Sequence, residues 1–174
     1  MKKLSAVALV LAVLGVYAPG ASHALSCVAP TMNEGVVEGA DIVFEGTAGP
    51  TGAPTRAEKA ALDAAGIATT GGGIAEMKVI EFTVTKGWKG AAEGQRIRVL
   101  RNTYWGDMFA AGETYLVVGG RQIDDLYVAP LCGNTMHICF AAQAGHLKTL
   151  ERLIGVGVPI GDPPWDAICG SNAE

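Results

Sequence analysis

Five short strand-like segments, separated by turn residues, constrain the fold of this chain more than any other feature. The clearest of them is residues 76–85, in which alternate side chains fall on opposite faces. One face contains Ile80, Phe82 and Val84, and the other contains Met77, Val79 and Glu81. Short strands joined by glycine-rich turns favour a small closed barrel, because closure removes exposed strand edges. The predicted strands are residues 40–46, 76–85, 95–101, 113–118 and 126–131.

The connections between these strands carry turn chemistry. Turns are predicted at Lys86-Gly87-Trp88-Lys89-Gly90, at Ala110-Ala111-Gly112, and at Gly119-Gly120 with Asp124-Asp125. Residues 48–75 are rich in Gly, Ala, Thr and Pro, and they predict a long flexible insertion between the first two strands.

A short helix is expected inside this insertion. Residues 56–65 contain strong helix formers, and Thr55 with Glu58 three residues later predicts a capping box.

The segment after the strands is helical in period. Residues 140–154 predict one helix that packs on the barrel through a single apolar stripe and ends at Gly155. The stripe consists of Phe140, Ala144, Leu147, Leu150 and Ile154. We therefore divide the chain into residues 25–135, a barrel, and residues 136–174, a C-terminal helix and tail.

Residues 1–24 have the three parts of a secretory signal peptide. Lys2 and Lys3 precede an apolar run over residues 4–18, and Ser22-His23-Ala24 forms a small-x-small cleavage site. A run of roughly 15 residues is too short to span a bilayer. Cleavage after Ala24 predicts a secreted or periplasmic protein with no membrane attachment.

Charge argues against nucleic-acid binding. The chain has 13 basic and 17 acidic residues, and removal of residues 1–24 takes Lys2 and Lys3 away. A mature protein with about six excess negative charges lacks the clustered Lys and Arg that nucleic acid and anionic membranes require.

All four cysteines lie after the predicted cleavage site. An even number of cysteines in an exported chain predicts two disulfides, and four cysteines allow three pairings. We favour Cys27–Cys132, which joins the N-terminus to the last strand, and Cys139–Cys169, which joins the helix to the tail. A zinc site is the less favoured alternative, because the cysteine spacing is not of the CxxC type.

No motif indicates catalysis, a cofactor or an intrinsic metal site. His137 and His146 are the only histidines of the predicted mature chain, and a Cys139–His146 nucleophilic pair would need two groups about two helical turns apart to meet. The chain also lacks a nucleophile elbow, a zincin motif and a phosphate loop. The sequence therefore predicts a protein that is not an enzyme and has no catalytic residue.

One loop between the third and fourth strands is unusually apolar. It contains Tyr104, Trp105, Met108 and Phe109, and two interpretations stay open. The loop either packs beneath the N-terminal segment or forms a contact surface for a partner.

Several short blocks occur in the order seen in one known family. They are Ser26-Cys27 with Pro30, residues 40–46, Phe82-Thr83-Val84 with Trp88-Lys89-Gly90, residues 112–117 and residues 126–132. In these blocks the chain resembles the netrin-like module of the tissue inhibitors of metalloproteinases, especially its exported bacterial relatives. The resemblance implies a mainly β fold: a five-stranded OB-fold barrel, stapled by disulfides, with a C-terminal α-helix packed on it.

The resemblance also implies an inhibitory N-terminus. The α-amine and carbonyl of Leu25 would chelate the catalytic zinc of a metalloprotease, whose open coordination position accepts such ligands. Ser26 would point into the specificity pocket, and Cys27 would be anchored through Cys132.

The chain departs from the family pattern at this segment. Leu25 stands at the family's first cysteine, and Tyr104-Trp105-Gly106 replaces the Cys-Gly that contains its disulfide partner. Loss of this disulfide removes preorganisation, which weakens the binding free energy of such a wedge by a few kcal/mol. Two hypotheses follow: an inhibitor of zinc metalloendopeptidases, or a non-inhibitory module of the same fold that binds another extracellular or envelope protein.

Overall fold

The computed structural model describes residues 31–67, 77–102, 109–130, 133–155, 158–159 and 169. Its strands are β1 (Ile42–Gly52), β2 (Met77–Lys89), β3 (Arg96–Asn102), β4 (Thr114–Ile123), β5 (Leu126–Val128), β6 (Met136–His137) and β7 (Val158–Pro159). Its helices are α1 (Glu34–Gly39), α2 (Arg56–Ala64), α3 (Ile138–Gln143) and α4 (His146–Ile154). No helix in this part of the chain is long and apolar enough to cross a membrane. The predicted signal peptide, residues 1–24, lies outside it.

Five strands close into a barrel. Strand β1 pairs antiparallel with both β2 and β4, and β2 pairs antiparallel with β3. Strand β3 then pairs in parallel with β5, which pairs antiparallel with β4 and completes the circuit β1–β2–β3–β5–β4–β1. This is the strand order of an OB-fold barrel, so the predicted fold class is confirmed.

Aromatic rings fill the barrel interior. Phe44 and Phe82 are fully buried and meet edge to face, with ring centroids 5.8 Å apart. The predicted alternation is confirmed in β2 and β3, because Ile97 and Val99 face the interior while the Arg96 side chain is largely exposed. Such an interior stabilises the barrel mainly through buried apolar area. The interior cluster consists of Ile42, Phe44, Ala48, Ile80, Phe82, Val84, Ile97, Val99, Phe109, Tyr115, Val117 and Tyr127.

The C-terminal segment packs on the outer side of β1 and β4, as two helices rather than the one predicted. Gly145 adopts a left-handed conformation, with φ of 71°, and this turn separates α3 from α4. The break rotates the predicted stripe, since Leu147 and Leu150 stay buried while Phe140 is 66% exposed. Helix α4 ends before Gly155, as predicted. The outer cluster, as we call it, consists of Met32, Val37, Ala40, Val43, Leu116, Val118, Ile138, Ala141, Leu147 and Leu150.

Helix α2 forms where the sequence predicts a helix. Both halves of the capping box are present: the Glu58 backbone N–H donates to Thr55 Oγ1 at 3.2 Å, and Glu58 Oε2 accepts from the Thr55 N–H at 2.7 Å. On the same face of the helix, one turn after Glu58, Leu62 is fully buried against Val79, Leu100 and Leu126. The inserted helix therefore packs on the outer face of β2, β3 and β5.

Three strands run further than predicted. Strand β1 continues to Gly52, β2 passes through Gly87 to Lys89, and β4 passes through Gly119-Gly120 to Ile123. Two of these glycines permit close backbone approach rather than a turn. A Cβ at Gly87 would lie 2.1 Å from the Ala91 carbonyl oxygen, and one at Gly119 would lie 2.9 Å from that of Val128. The turn between β4 and β5 lies at Asp124-Asp125, as predicted.

One predicted disulfide is confirmed. Cys139 in α3 is bonded to Cys169, 30 residues further along the chain. The other predicted pair, Cys27–Cys132, lies outside the described residues.

Candidate functional site

The predicted inhibitory residues, Leu25, Ser26 and Cys27, lie outside the described residues, as does Cys132. The described chain starts at Thr31, and the next residue, Met32, is 4% exposed and belongs to the outer cluster. Met32 follows Cys27 by five positions. The described chain therefore begins at a position that is packed on the barrel.

Helix α1 strengthens this anchor. Asn33 caps the helix by accepting a hydrogen bond from the Val36 N–H at 3.0 Å. Lys89 Nζ, at the end of β2, donates to the carbonyl oxygens of Val37 and Glu38 at 2.9 Å each. The two lysine bonds tie the C-terminal end of the short helix to the barrel.

The outer face of β2 and β3 is the surface on which OB folds commonly bind oligonucleotides and oligosaccharides. Here helix α2 covers part of that face with Leu62. Arg98 on β3 pairs with Glu58 of the helix at 3.0 Å, and Arg96 pairs with Glu81 of β2 at 3.2 Å. Both arginines are thus matched by carboxylates of the same chain.

A shallow groove remains beside the helix. It has a volume of about 640 Å³ and lies between the end of β1 and strands β2 and β3. Its lining includes Pro50, Thr83, Glu81 and Arg96. Because its charges are paired, the groove is not a cationic surface of the kind that binds a phosphate backbone.

The predicted contact loop is described only at its last residue. Tyr104, Trp105 and Met108 lie outside the described residues. Phe109 is 6% exposed, and its ring centroid lies 5.3 Å from that of Phe82 and 4.8 Å from that of Tyr115. Phe109 is therefore an interior residue, and its assignment to an exposed contact surface is wrong.

Phe109 instead begins a row of four rings that reaches the surface. Successive rings of Phe109, Tyr115, His137 and Phe140 meet edge to face, with centroids 4.8, 5.3 and 6.2 Å apart. We call this set the aromatic row. Together with Thr135 and Met136 it lines a cavity of about 430 Å³, which we call the aromatic pocket.

Pairing of strand β4 with strand β6 positions the aromatic row. Tyr115 on β4 lies opposite His137 on β6, and the Tyr115 hydroxyl accepts a hydrogen bond from the Ala110 N–H at 2.8 Å. His137 is also the N-cap of helix α3. Phe140 in the first turn of that helix is therefore held beside the His137 ring.

A carboxylate orients the histidine. The Nδ1 atom of His137 accepts from the Cys139 backbone N–H at 3.2 Å, so in the neutral ring the proton resides on Nε2. Nε2 donates to Glu113 Oε2 at 3.1 Å, and the Glu113 side chain is 56% exposed. Within the described part of the chain, Glu113 Oε1 has no hydrogen-bond partner.

The sequence does not predict this arrangement. Glu113 and His137 are 24 residues apart, and a two-residue strand such as β6 has no periodic signal. Of the four rings in the aromatic row, only Phe140 has an exposure that follows from a single break in the predicted helix.

The alternative catalytic chemistry considered for the cysteines is contradicted. Cys139 is in a disulfide, so it has no thiolate to act as a nucleophile. His146 is buried, and burial lowers its pKa from the ordinary value of 6.5. Among the described residues, no group of three or more His, Cys, Asp or Glu side chains could hold a metal ion.

A second polar contact fastens helix α4 to the barrel. Buried Lys86 of β2 pairs with Glu151 of α4 at 3.3 Å and lies 4.9 Å from the centroid of the Trp88 ring. These contacts offset the cost of burying a lysine side chain in a strand.

Comparisons of the chain with protein-family models, with curated proteins and with solved structures find no match.

Proposed function

We propose that the chain is an exported inhibitor of zinc metalloendopeptidases that acts through its mature N-terminus. The observation that carries this proposal is the packing, on an OB-fold barrel, of the chain that directly follows the proposed N-terminal wedge, at buried Met32 and helix α1. An inhibitory wedge needs such a rigid base, because ordering a loose segment on binding costs affinity. The family resemblance supplies the proposed target class.

In this mechanism each N-terminal residue has one role. The neutral α-amine and the carbonyl oxygen of Leu25 displace water from the open position of the protease's zinc. Ser26 enters the specificity pocket. Cys27, bonded to Cys132, holds the segment against the barrel.

Two features of the fold are compatible with this role. Helix α2 covers part of the face that OB folds use for polymeric ligands, and the arginines there are paired. The Cys139–Cys169 disulfide suits an oxidising compartment such as the periplasm or the extracellular space.

The test is inhibition of a panel of zinc endopeptidases by the mature protein, with Leu25 verified by mass as the first residue. A variant with one alanine added before Leu25 is compared with a matched control in which the alanine follows Glu174. Inhibition that only the N-terminal alanine abolishes is the expected result. Absence of inhibition at micromolar concentration would overturn the proposal.

A second candidate function is a non-inhibitory module that binds another extracellular or envelope protein. The observation that favours it is the exposure of Phe140 at the end of the aromatic row. A large exposed aromatic side chain beside a cavity is typical of a protein-contact surface. This candidate predicts a partner that binds equally well when the N-terminus is extended.

A further inference from the structure

The aromatic pocket is a candidate recognition site independent of the N-terminal segment. Its lining combines the four rings of the aromatic row with Met136 and Thr135. The Thr135 hydroxyl is already used, since it donates to the Val118 carbonyl oxygen at 3.0 Å and accepts from the Val118 N–H at 2.9 Å. A ligand in this pocket therefore meets mainly ring surfaces.

The charge beside the pocket is negative. Glu113 lies at the Nε2 edge of the His137 ring, at the margin of the aromatic pocket, and accepts the 3.1 Å bond from Nε2. Because His137 uses its Nδ1 atom to cap helix α3, its ring cannot turn freely away from this carboxylate. The remaining oxygen, Oε1, is an acceptor on a half-exposed side chain.

Rings in this protein repeatedly hold cations. Lys86 lies over Trp88 at 4.9 Å, Arg101 over Phe109 at 5.2 Å and Arg121 over Tyr127 at 5.4 Å. Phe109, at the inner end of the aromatic row, thus already has a cation–π contact with Arg101. Phe140, at the outer end, has none among the described residues and is 66% exposed.

We propose that the aromatic pocket binds a basic side chain, Lys or Arg, of a partner protein. The alkyl stem of that side chain packs on the Phe140, Tyr115 and Met136 surfaces, and its charged end interacts with the ring faces and with Glu113. Attraction of a cation to aromatic faces and to a nearby carboxylate complements the negative charge of the chain. This inference does not rest on zinc-protease inhibition.

The test uses three blocked amino acids as probes: the Nα-acetyl amides of lysine, arginine and norleucine. Norleucine matches the lysine stem without its charge. Each probe is titrated into the full mature protein at concentrations up to about 10 mM, and NMR chemical-shift changes are followed. We expect the lysine and arginine probes to shift the Tyr115, His137 and Phe140 signals, and norleucine to leave them unchanged.

Variants separate the contribution of the Glu113 carboxylate to binding from that of the Phe140 ring. Glu113→Gln should weaken lysine binding about fivefold, and Phe140→Ala should abolish it. Phe140 is exposed, so its truncation should leave the fold intact, and Glu38→Gln is the control for removal of an exposed carboxylate elsewhere. A protein with alanine added before Leu25 should bind the probe unchanged, which separates this inference from the proposed inhibition.

Three results would overturn the inference. Norleucine binding as tightly as lysine would show an apolar pocket with no preference for charge. Unchanged lysine binding by Glu113→Gln would remove the role of the carboxylate. Absence of any shift at these residues with either basic probe would remove the site.

Discussion

Arg98 on the barrel and Glu58 on the inserted helix form an ion pair of 3.0 Å, and the same Glu58 carboxylate closes the capping box of that helix. One side chain thus starts helix α2 and docks it. The pair is partly buried, with the Arg98 and Glu58 side chains 35% and 17% exposed. The inserted segment is therefore fastened to the barrel by its first turn as well as by Leu62.

Substitutions of Glu58 should separate these two roles. Glu58→Gln keeps an acceptor for the capping box but loses the ion pair with Arg98, and we expect it to lower the free energy of unfolding by up to about 1 kcal/mol. Glu58→Ala loses both and should cost about 2 kcal/mol. Urea denaturation measures both values, and Thr55→Ala is the control for the cap alone. Equal costs for the two Glu58 variants would contradict a separate capping role.

Truncation of Leu62 should destabilise the protein far more than changes on the outer side of the same helix. Leu62→Ala removes a fully buried side chain from contact with Val79 and Leu100, at an expected cost of about 2–4 kcal/mol. Arg56→Ala, on an exposed position of α2, should change stability by less than about 0.5 kcal/mol. Denaturant titration of both variants tests this, and a small effect of Leu62→Ala would mean that α2 is not firmly packed.

Alanine should be tolerated at one glycine and rejected at another. In Gly87→Ala the new methyl group would lie 2.1 Å from the Ala91 carbonyl oxygen, a clash with backbone that is expected to cost at least about 2 kcal/mol. Gly39→Ala adds a methyl group at a helical position with nothing within 4 Å, and it should be neutral or stabilising by about 0.5 kcal/mol. Thermal unfolding followed by circular dichroism compares the two. Equal melting temperatures would contradict the close approach at Gly87.

Buried His146 should make the protein less stable in acid. Its pKa is lowered by burial, so the unfolded chain, with the ordinary value of 6.5, takes up the proton more readily than the folded protein does. The free energy of unfolding should therefore fall as the pH drops below about 6.5, and this group should have no effect well above that pH. Urea denaturation between about pH 5 and pH 8 measures the slope.

The matched variant for this prediction is His146→Leu. The Nδ1 atom of His146 has no hydrogen-bond partner among the described residues, so an apolar side chain loses no bond at that atom. The variant should show a flatter dependence of stability on pH than the wild type. If both proteins lost stability in parallel, another group would be responsible.

Much of the local structure could be predicted from the sequence. The alternation of residues in β2, the inward faces of β3 and the Thr55–Glu58 capping box depend on residues within a few positions of one another. The count of barrel strands followed from the same patterns. The closing pair of β3 with β5 is parallel, and it depends on strands that are separated by β4 in the chain.

The errors also have a common cause. The sequence predicts turns at Gly87 and Gly119, whereas each lies in a strand where another backbone passes close by. Phe140 was assigned to a buried stripe, but the left-handed Gly145 ends one helix and begins another. In each case the residue type indicates a special position. Its structural role depends on which other backbone segment lies beside it, or on where the chain turns.

By itself the sequence determined the faces of the strands and the Thr55–Glu58 capping box. It also favoured the pairing of Cys139 with Cys169. Only the tertiary structure decided that Glu113 orients His137, that the aromatic row runs from the interior to exposed Phe140, and that Arg98 docks the inserted helix. The physical reason is the separation along the chain of the residues that interact. Alternation and capping are interactions between close neighbours in the chain, whereas a site forms from side chains that barrel closure brings together from different strands.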